Sequence, residues 1–167
     1  DTMRMKEKVV LITGATGEIG TAMTQRFLAE GASVCITGRS AEKLADINES
    51  LGAGARLTSC LVDALDEAAV LSSVERCVAE FGGIDAIIAN AGTEGKVQPL
   101  EKYSVEEFNE TLLVNVTGVW LYLKHGIPPM RARGSGSFVA VSSGAGTVGF
   151  PGLCPYSASK HAVNGLV

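Results

Sequence analysis

No stretch of this 167-residue chain supplies the run of about 18 apolar residues that a bilayer-spanning helix needs, and nothing resembles a secretory leader. A membrane location is therefore not expected, and the cytoplasm is the expected compartment. Basic clusters are missing as well. With 14 Lys and Arg against 18 Asp and Glu the net charge is −4, so nucleic acid is not an expected partner. Cysteine is scarce: Cys35, Cys60, Cys77 and Cys154 lack paired spacing and do not gather with His125 or His161. That pattern argues against a disulfide frame or a metal site, and packing is the expected role of all four thiols. Charged residues make up only 19% and hydrophobic ones 46%, enough apolar material for one globular domain over residues 1–167.

What the chain does contain is a repeating order of short apolar runs, turns and helical patterns. Residues 1 to 7 are polar, carry Met3 and Met5, and read as a start region or expression remnant outside the fold. Val9-Val10-Leu11-Ile12 is a continuous apolar run, as a strand buried on both faces requires. It leads into Thr13-Gly14-Ala15-Thr16-Gly17-Glu18-Ile19-Gly20, after which Ala22, Phe27, Leu28 and Ala29 keep helical spacing until Gly31. A strand, a glycine turn and a helix in this order set free backbone N–H groups at the strand's carboxyl end, which suits a pyrophosphate. Alternatively, the stretch is a tight turn with no ligand.

Val34 to Thr37 is the second strand, ended by Gly38-Arg39-Ser40. An acid about 20 positions past the glycines would hold the ribose 2′-hydroxyl of NAD, but none is present, and Arg39 suits the 2′-phosphate of NADP. NADP is therefore the expected cofactor, with NAD as the second choice; the alternative for Arg39 is a solvated strand-end cation. A helix from about Ala41 to Leu51 precedes a third strand, roughly Arg56 to Val62, closed by Asp63. Asp63 and Asp66 both precede the helical pattern Val70, Leu71, Val74, Val78, Phe81, so either can cap that helix. Ile84 to Ala89 is a fourth strand delivering Asn90-Ala91-Gly92, and Thr93 to Leu100 is a polar loop.

Ser104 followed three residues later by Glu107 is a capping-box pattern that opens a long helical region to about His125, either continuous or broken at the cap of a second helix. Its expected buried side is Leu112, Leu113, Val116, Val119, Trp120 and Leu123, with Asn115 among them. A buried amide is costly unless bonded, and a satisfied core asparagine is one role for Asn115. Pro128, Pro129 and residues 134–136 form the next connection. Phe138 to Val141 is the fifth strand and drops Ser142-Ser143 at its carboxyl end. Beyond it, Tyr156 and Lys160 stand four apart, which on a helix stacks them on one face. An ammonium about 4 Å from a phenolic oxygen at an effective dielectric near 20 contributes roughly 4 kcal/mol, enough to move a phenol by about 3 pKa units into working range. Ser143 is placed to hydrogen-bond the same substrate oxygen. Alternatively, the pair is solvated surface.

Together, the glycine loop, Asn115, Ser143, Tyr156 and Lys160 resemble the short-chain dehydrogenase/reductase family, over essentially the whole chain from Lys8 onward. The resemblance implies an α/β fold, a Rossmann-type doubly wound parallel sheet with strands in the order 3-2-1-4-5. It implies catalytic roles for Asn115, Ser143, Tyr156 and Lys160, with Asn115 bending its helix and holding a water that reaches Lys160. Cofactor contacts follow at Gly14, Thr16, Gly17, Ile19, Gly20 and Arg39, at Asp63 (the adenine amino group), at Asn90, Ala91 and Gly92, and at Tyr156 and Lys160. The implied activity is NADP-dependent hydride transfer between a small-molecule secondary alcohol and a ketone. The implied assembly is a homodimer or homotetramer through the Asn115 and Tyr156 helices. Five strands stand before Val167 where about six are usual, so the chain reads as truncated at its C-terminal side.

One position departs from the family's pattern. The usual Thr-Gly-x-x-x-Gly-x-Gly has glycine where Glu18 stands, and Gly14-x-x-Gly17-x-x-Gly20 matches instead the longer, sugar-nucleotide branch. A carboxylate beside phosphates is repulsive, so Glu18 is expected to point away or to weaken binding. A sugar-nucleotide epimerase or dehydratase is therefore a competing function. The Asn90-Ala91-Gly92 tripeptide, Asn115 and the 12 residues between Ser143 and Tyr156 resemble the shorter branch and count against it. A catalytically silent dinucleotide-binding module is the third possibility.

Overall fold

The computed structural model describes residues 3–167. Five parallel strands form one sheet in the order β3-β2-β1-β4-β5. They are β1 Val9–Ile12, β2 Ser33–Gly38, β3 Leu57–Leu61, β4 Ala86–Ala89 and β5 Ser137–Ala140. Six helices connect and flank them: α1 Glu18–Ala29, α2 Ala41–Leu51, α3 Glu67–Phe81, α4 Val105–Leu112, α5 Gly118–Ala132 and α6 Cys154–Asn164. A single π-turn, Leu113–Thr117, joins α4 to α5. The expected fold class and strand order are the observed ones.

Alternation along each strand sorts the core into two layers. Val9 and Leu11 of β1 pack with Val70, Val74, Leu121 and Tyr122 of α3 and α5. Val10 and Ile12 pack on the opposite face with Leu28, Leu44 and Ile47 of α1 and α2. Every residue of β1 is buried, which is why its sequence is continuously apolar and does not alternate. Strand order reverses between β2-β1 and β1-β4, so the helices after β1 and β4 leave on opposite faces and open a crevice at the strands' carboxyl ends.

Helix limits follow local chemistry. Ser40 accepts from Lys43 N at 3.3 Å to start α2, and Gly52 ends it in the left-handed region at φ +52°. Ser104 and Glu107 form the expected capping box on α4, each side chain bonded to the other residue's backbone N–H.

Several expectations are corrected. Asp66 caps α3, accepting from Ala69 N at 3.1 Å, while Asp63 accepts from Leu65 N at 3.0 Å and lies outside the helix. Pro128 and Pro129 do not form a connection but lie inside α5. They occupy its final turns, where only two backbone N–H groups are forfeited. Leu113 and Trp120 are not buried; they are 45% and 43% exposed. The π-turn adds a residue to one coil and rotates the face of all that follows. The side of α5 that meets the sheet is therefore Gly118, Tyr122, Gly126 and Met130, with Val119 and Leu121 beside them. A Cβ on Gly126 would lie 2.2 Å from the Ile87 side chain, so glycine is what lets α5 sit this close to β4. Leu71 likewise faces outward on α3. The segment read as lying outside the fold is docked from Met3 onward: Met5 N donates to Glu30 O at 3.0 Å and the Met5 side chain packs on the α1–α2 layer. Residues 1 and 2 of that segment lie outside the described residues.

Candidate active site

The glycine loop leaves β1 through Gly14, whose φ of +62° is a left-handed conformation open to glycine. A Cβ there would stand 2.7 Å from Ala91 Cα, and one on Gly20 would stand 2.4 Å from Gly14 O. Gly14 and Gly20 thus let the loop close on itself and on the chain leaving β4. That contact is latched by Thr13. Its Oγ1 accepts from Asn90 N at 3.0 Å and Ala91 N at 2.9 Å, while Asn90 Nδ2 donates to Thr13 O and Gly14 O at 3.1 and 3.2 Å. Gly17 is the N-cap of α1 and brings no side chain to cap it, so the first N–H groups of the helix face the crevice.

The crevice is a cleft of roughly 810 Å³, within the range of small-molecule sites. Gly14, Thr16, Gly17, Ile19, Gly20, Arg39, Asp63, Asn90, Ala91 and Gly92 all line it. Lys43, Tyr122 and Glu18 line it too, and of these the sequence had singled out only Glu18. Lys43 escaped notice because a lysine in the first turn of a helix has no distinctive signal. Tyr122 is buried, bonded through its hydroxyl to Thr37 Oγ1 at 3.2 Å, and burial pushes its pKa up to about 12, so it is neutral.

The second cluster begins where the first ends, at Gly92. A Cβ on Gly92 would lie 3.1 Å from Asn115 Oδ1 and 3.7 Å from Lys160 Nζ. Asn115 lies in the π-turn and is 1% exposed. Its Oδ1 accepts from Thr93 N at 2.7 Å, and its Nδ2 donates to Thr93 O at 2.8 Å and Ser159 Oγ at 2.9 Å. Both amide hydrogens are committed, so the side chain clamps the loop after β4 to α6. Ser159, which sequence reading passed over, completes the clamp by donating to Tyr156 O at 2.7 Å. Its position inside Tyr156-Ser157-Ala158-Ser159-Lys160 is the only sequence signal it offers.

Lys160 is 6% exposed and donates from Nζ to Val141 O at 2.7 Å. Burial holds its pKa below the ordinary ammonium value. Nζ stands 5.6 Å from the centre of the half-buried Tyr156 ring, so the two side chains lie side by side as their spacing on α6 predicts. Ser143 opens the tight turn Gly144–Gly146, and its Oγ accepts from Ala145 N at 3.2 Å. The turn is tied to α6 by Asn164 Nδ2 to Gly146 O at 2.8 Å. Ser143, Tyr156, Lys160 and Asn115 do not line this cleft; Asn115 and Lys160 stand at its Gly92 end, with the Tyr156 ring beside Lys160.

With unpaired N–H groups at one end, two cations at its flank and small residues toward Gly92, the cleft fits a nicotinamide dinucleotide. Known proteins agree. The short chain dehydrogenase family profile matches residues 8–167, and the chain belongs to that family. It is 38% identical over 161 residues to a cis-4-hydroxycyclohexanecarboxylate dehydrogenase of Sinomonas cyclohexanicum, covering 96% of this chain and 64% of that one. Among solved structures it is similar to NAD+-bound xylitol dehydrogenase, with a TM-score of 0.94, 34% identity, and coverage of 98% of this chain and 63% of that one. NADP-bound ElxO aligns with a TM-score of 0.89 at 32% identity, over 95% of this chain and 64% of its own. The chain therefore spans just under two thirds of the length of these relatives. Among the described residues no helix is long and apolar enough to cross a membrane.

Proposed function

We propose that this protein is an NADP-dependent oxidoreductase interconverting a secondary alcohol and a ketone, with Tyr156 as general acid and base. The observation that carries this is the meeting at Gly92 of a dinucleotide-sized cleft with the Lys160, Asn115 and Tyr156 cluster. When bound, the nicotinamide gives or takes the hydride. The Tyr156 hydroxyl has no hydrogen-bond partner among the described residues, so it is free to give its proton to a carbonyl oxygen or to take one from an alcohol. Lys160 sets a positive charge beside the ring, which offsets the negative charge developing on the phenolic oxygen. Ser143 accepts a backbone hydrogen and keeps its own to bond the substrate oxygen. Asn115 and Ser159 hold α6 against the loop after β4, and so set where Tyr156 and Lys160 stand.

Arg39, exposed at the cleft's flank with no acid nearby on β2, supports NADP over NAD. The secondary alcohol carried on a ring in the name of the Sinomonas relative, together with exposed Val97, Val148 and Phe150 on the loops after β4 and β5, supports an alicyclic substrate. Exposed Leu113 and Trp120 on the α5 side support association of copies through that face, as a homodimer or homotetramer. Four free thiols suit a reducing, cytoplasmic setting. A cofactor-binding module without turnover is favoured by Glu18, a carboxylate in the lining of the cleft.

NADPH oxidation with a panel of cyclic and open-chain ketones tests the proposal. Tyr156→Phe should lower kcat by about 10²- to 10⁴-fold while the NADPH Kd stays within about twofold. Retained turnover in that variant overturns the role of Tyr156. Higher kcat/KM with NADH than with NADPH overturns the cofactor choice, and cofactor binding without turnover of any ketone favours the silent module.

A further inference from the structure

Glu18 is a charged group inside the cleft for which the proposed reaction has no use. It is the first residue of α1, exposed, and lines the cleft beside Gly17 and Ile19. Among the described residues its carboxylate has no hydrogen-bond or ion-pair partner. Arg39 and Lys43 are the cations of the lining, Glu18 and Asp63 its carboxylates, so the cleft presents no surplus positive charge to a ligand. A carboxylate in the first helical turn faces the unpaired N–H groups and stabilises the ligand-free helix. A pyrophosphate bound at those N–H groups places two further negative charges beside it. One side chain therefore favours the empty cleft and opposes the filled one.

We propose that Glu18 sets the affinity of this cleft for dinucleotides, holding it below what the glycine loop would give with an uncharged residue there. It acts on the pyrophosphate, which NADPH and NADH share, and not on the ribose 2′-phosphate. The inference rests on the dinucleotide reading of the cleft.

Glu18→Gln keeps the shape and removes the charge, and Glu18→Gly restores the residue usual in the family. Like charges interacting through solvent in an open cleft predict a gain of about three- to tenfold in affinity when the charge goes. Fluorescence titration of the unaltered protein and both variants should show Kd falling by that factor for NADPH and NADH alike, with their ratio unchanged. Without ligand, Glu18→Gln should melt about 1–3 °C lower than the unaltered protein, as loss of a first-turn carboxylate requires. Unchanged or weaker binding in Glu18→Gln overturns the proposal, and so does tightening confined to NADPH. If neither the unaltered protein nor the variants bind a dinucleotide, the reading of the cleft fails and the role of Glu18 with it.

Discussion

The glycine-loop end of the cleft and the Tyr156 cluster beside it lie at the carboxyl edge of one sheet but are held differently. At the glycine-loop end, β1 and β2 are interior strands, buried almost throughout, and the loop above them closes by backbone contacts that only glycine permits. At the Tyr156 cluster, β5 is an edge strand among the described residues and alternates exposed with half-buried residues, Val139 being 46% exposed. Beyond its ladder with β4, the segments around it are joined by a few side-chain bonds: Asn115 to Thr93 and Ser159, Lys160 to Val141, Asn164 to Gly146. The difference teaches that the first half is closed chiefly by the steric fit of its glycines, with one polar latch from Thr13 to Asn90 and Ala91, whereas the second rests on a wider polar network. Sterics tolerate almost no substitution, while a network loosens bond by bond.

The largest effect should come from Gly20→Ala. Its methyl would meet Gly14 O and Ala15 Cα at 2.4 and 2.6 Å, both of them backbone. We expect a loss of about 3 kcal/mol or more in urea unfolding, together with loss of dinucleotide binding. Near-native stability would mean that the glycine loop yields more easily than its geometry implies. Asn115→Ala comes next and sharpens the contrast. It strips partners from Thr93 and Ser159 and should cost about 1–3 kcal/mol. Hydrogen exchange should quicken in residues 93–99 and 154–164 and stay unchanged in β1 and β2. Equal quickening in both places would break the comparison.

The smallest effect concerns pH. Because burial lowers the pKa of Lys160 in the folded protein, the unfolded chain holds that proton more tightly. Between the lowered value and the ordinary 10.5, stability contributed by this group rises with pH, and the cost of burying the charge is greatest near neutrality. Lys160→Met should therefore be at least as stable as the unaltered protein at pH 7, by up to about 1 kcal/mol. The advantage should shrink toward pH 10.5, while ketone turnover is lost. A variant less stable at neutral pH than at alkaline pH, relative to the unaltered protein, would show that the Val141 bond outweighs the burial.

Legibility in the sequence followed the same division. The strand and helix limits around the glycine loop were readable because each signal is local: an apolar run, a turn glycine, a capping serine or aspartate. Asn115, Ser143, Tyr156 and Lys160 were recognisable through the family resemblance, and the structure brings Asn115 and Lys160 to Gly92 with the Tyr156 ring beside Lys160. The long helical region around Asn115, with or without a break at a second cap, was given a single buried side, which put Leu113 and Trp120 on the wrong side. An extra residue in one turn leaves no mark on an apolar pattern, and the glycines that touch the sheet carry no hydrophobic signal at all. Thr13 and Ser159 were missed because a hydroxyl declares its partner only when the partner is brought to it from far along the chain.

The order of strands, glycine turns and helices, and the residues that can occupy them, was determined by the sequence alone, since backbone sterics and capping act over a few neighbouring residues. Which face of α5 is buried, that Asp66 and not Asp63 caps α3, and that Asn115 reaches across 44 residues to Ser159 were decided only by the tertiary structure. Those outcomes depend on volumes and hydrogen-bonding groups supplied by segments that meet only after the sheet has formed.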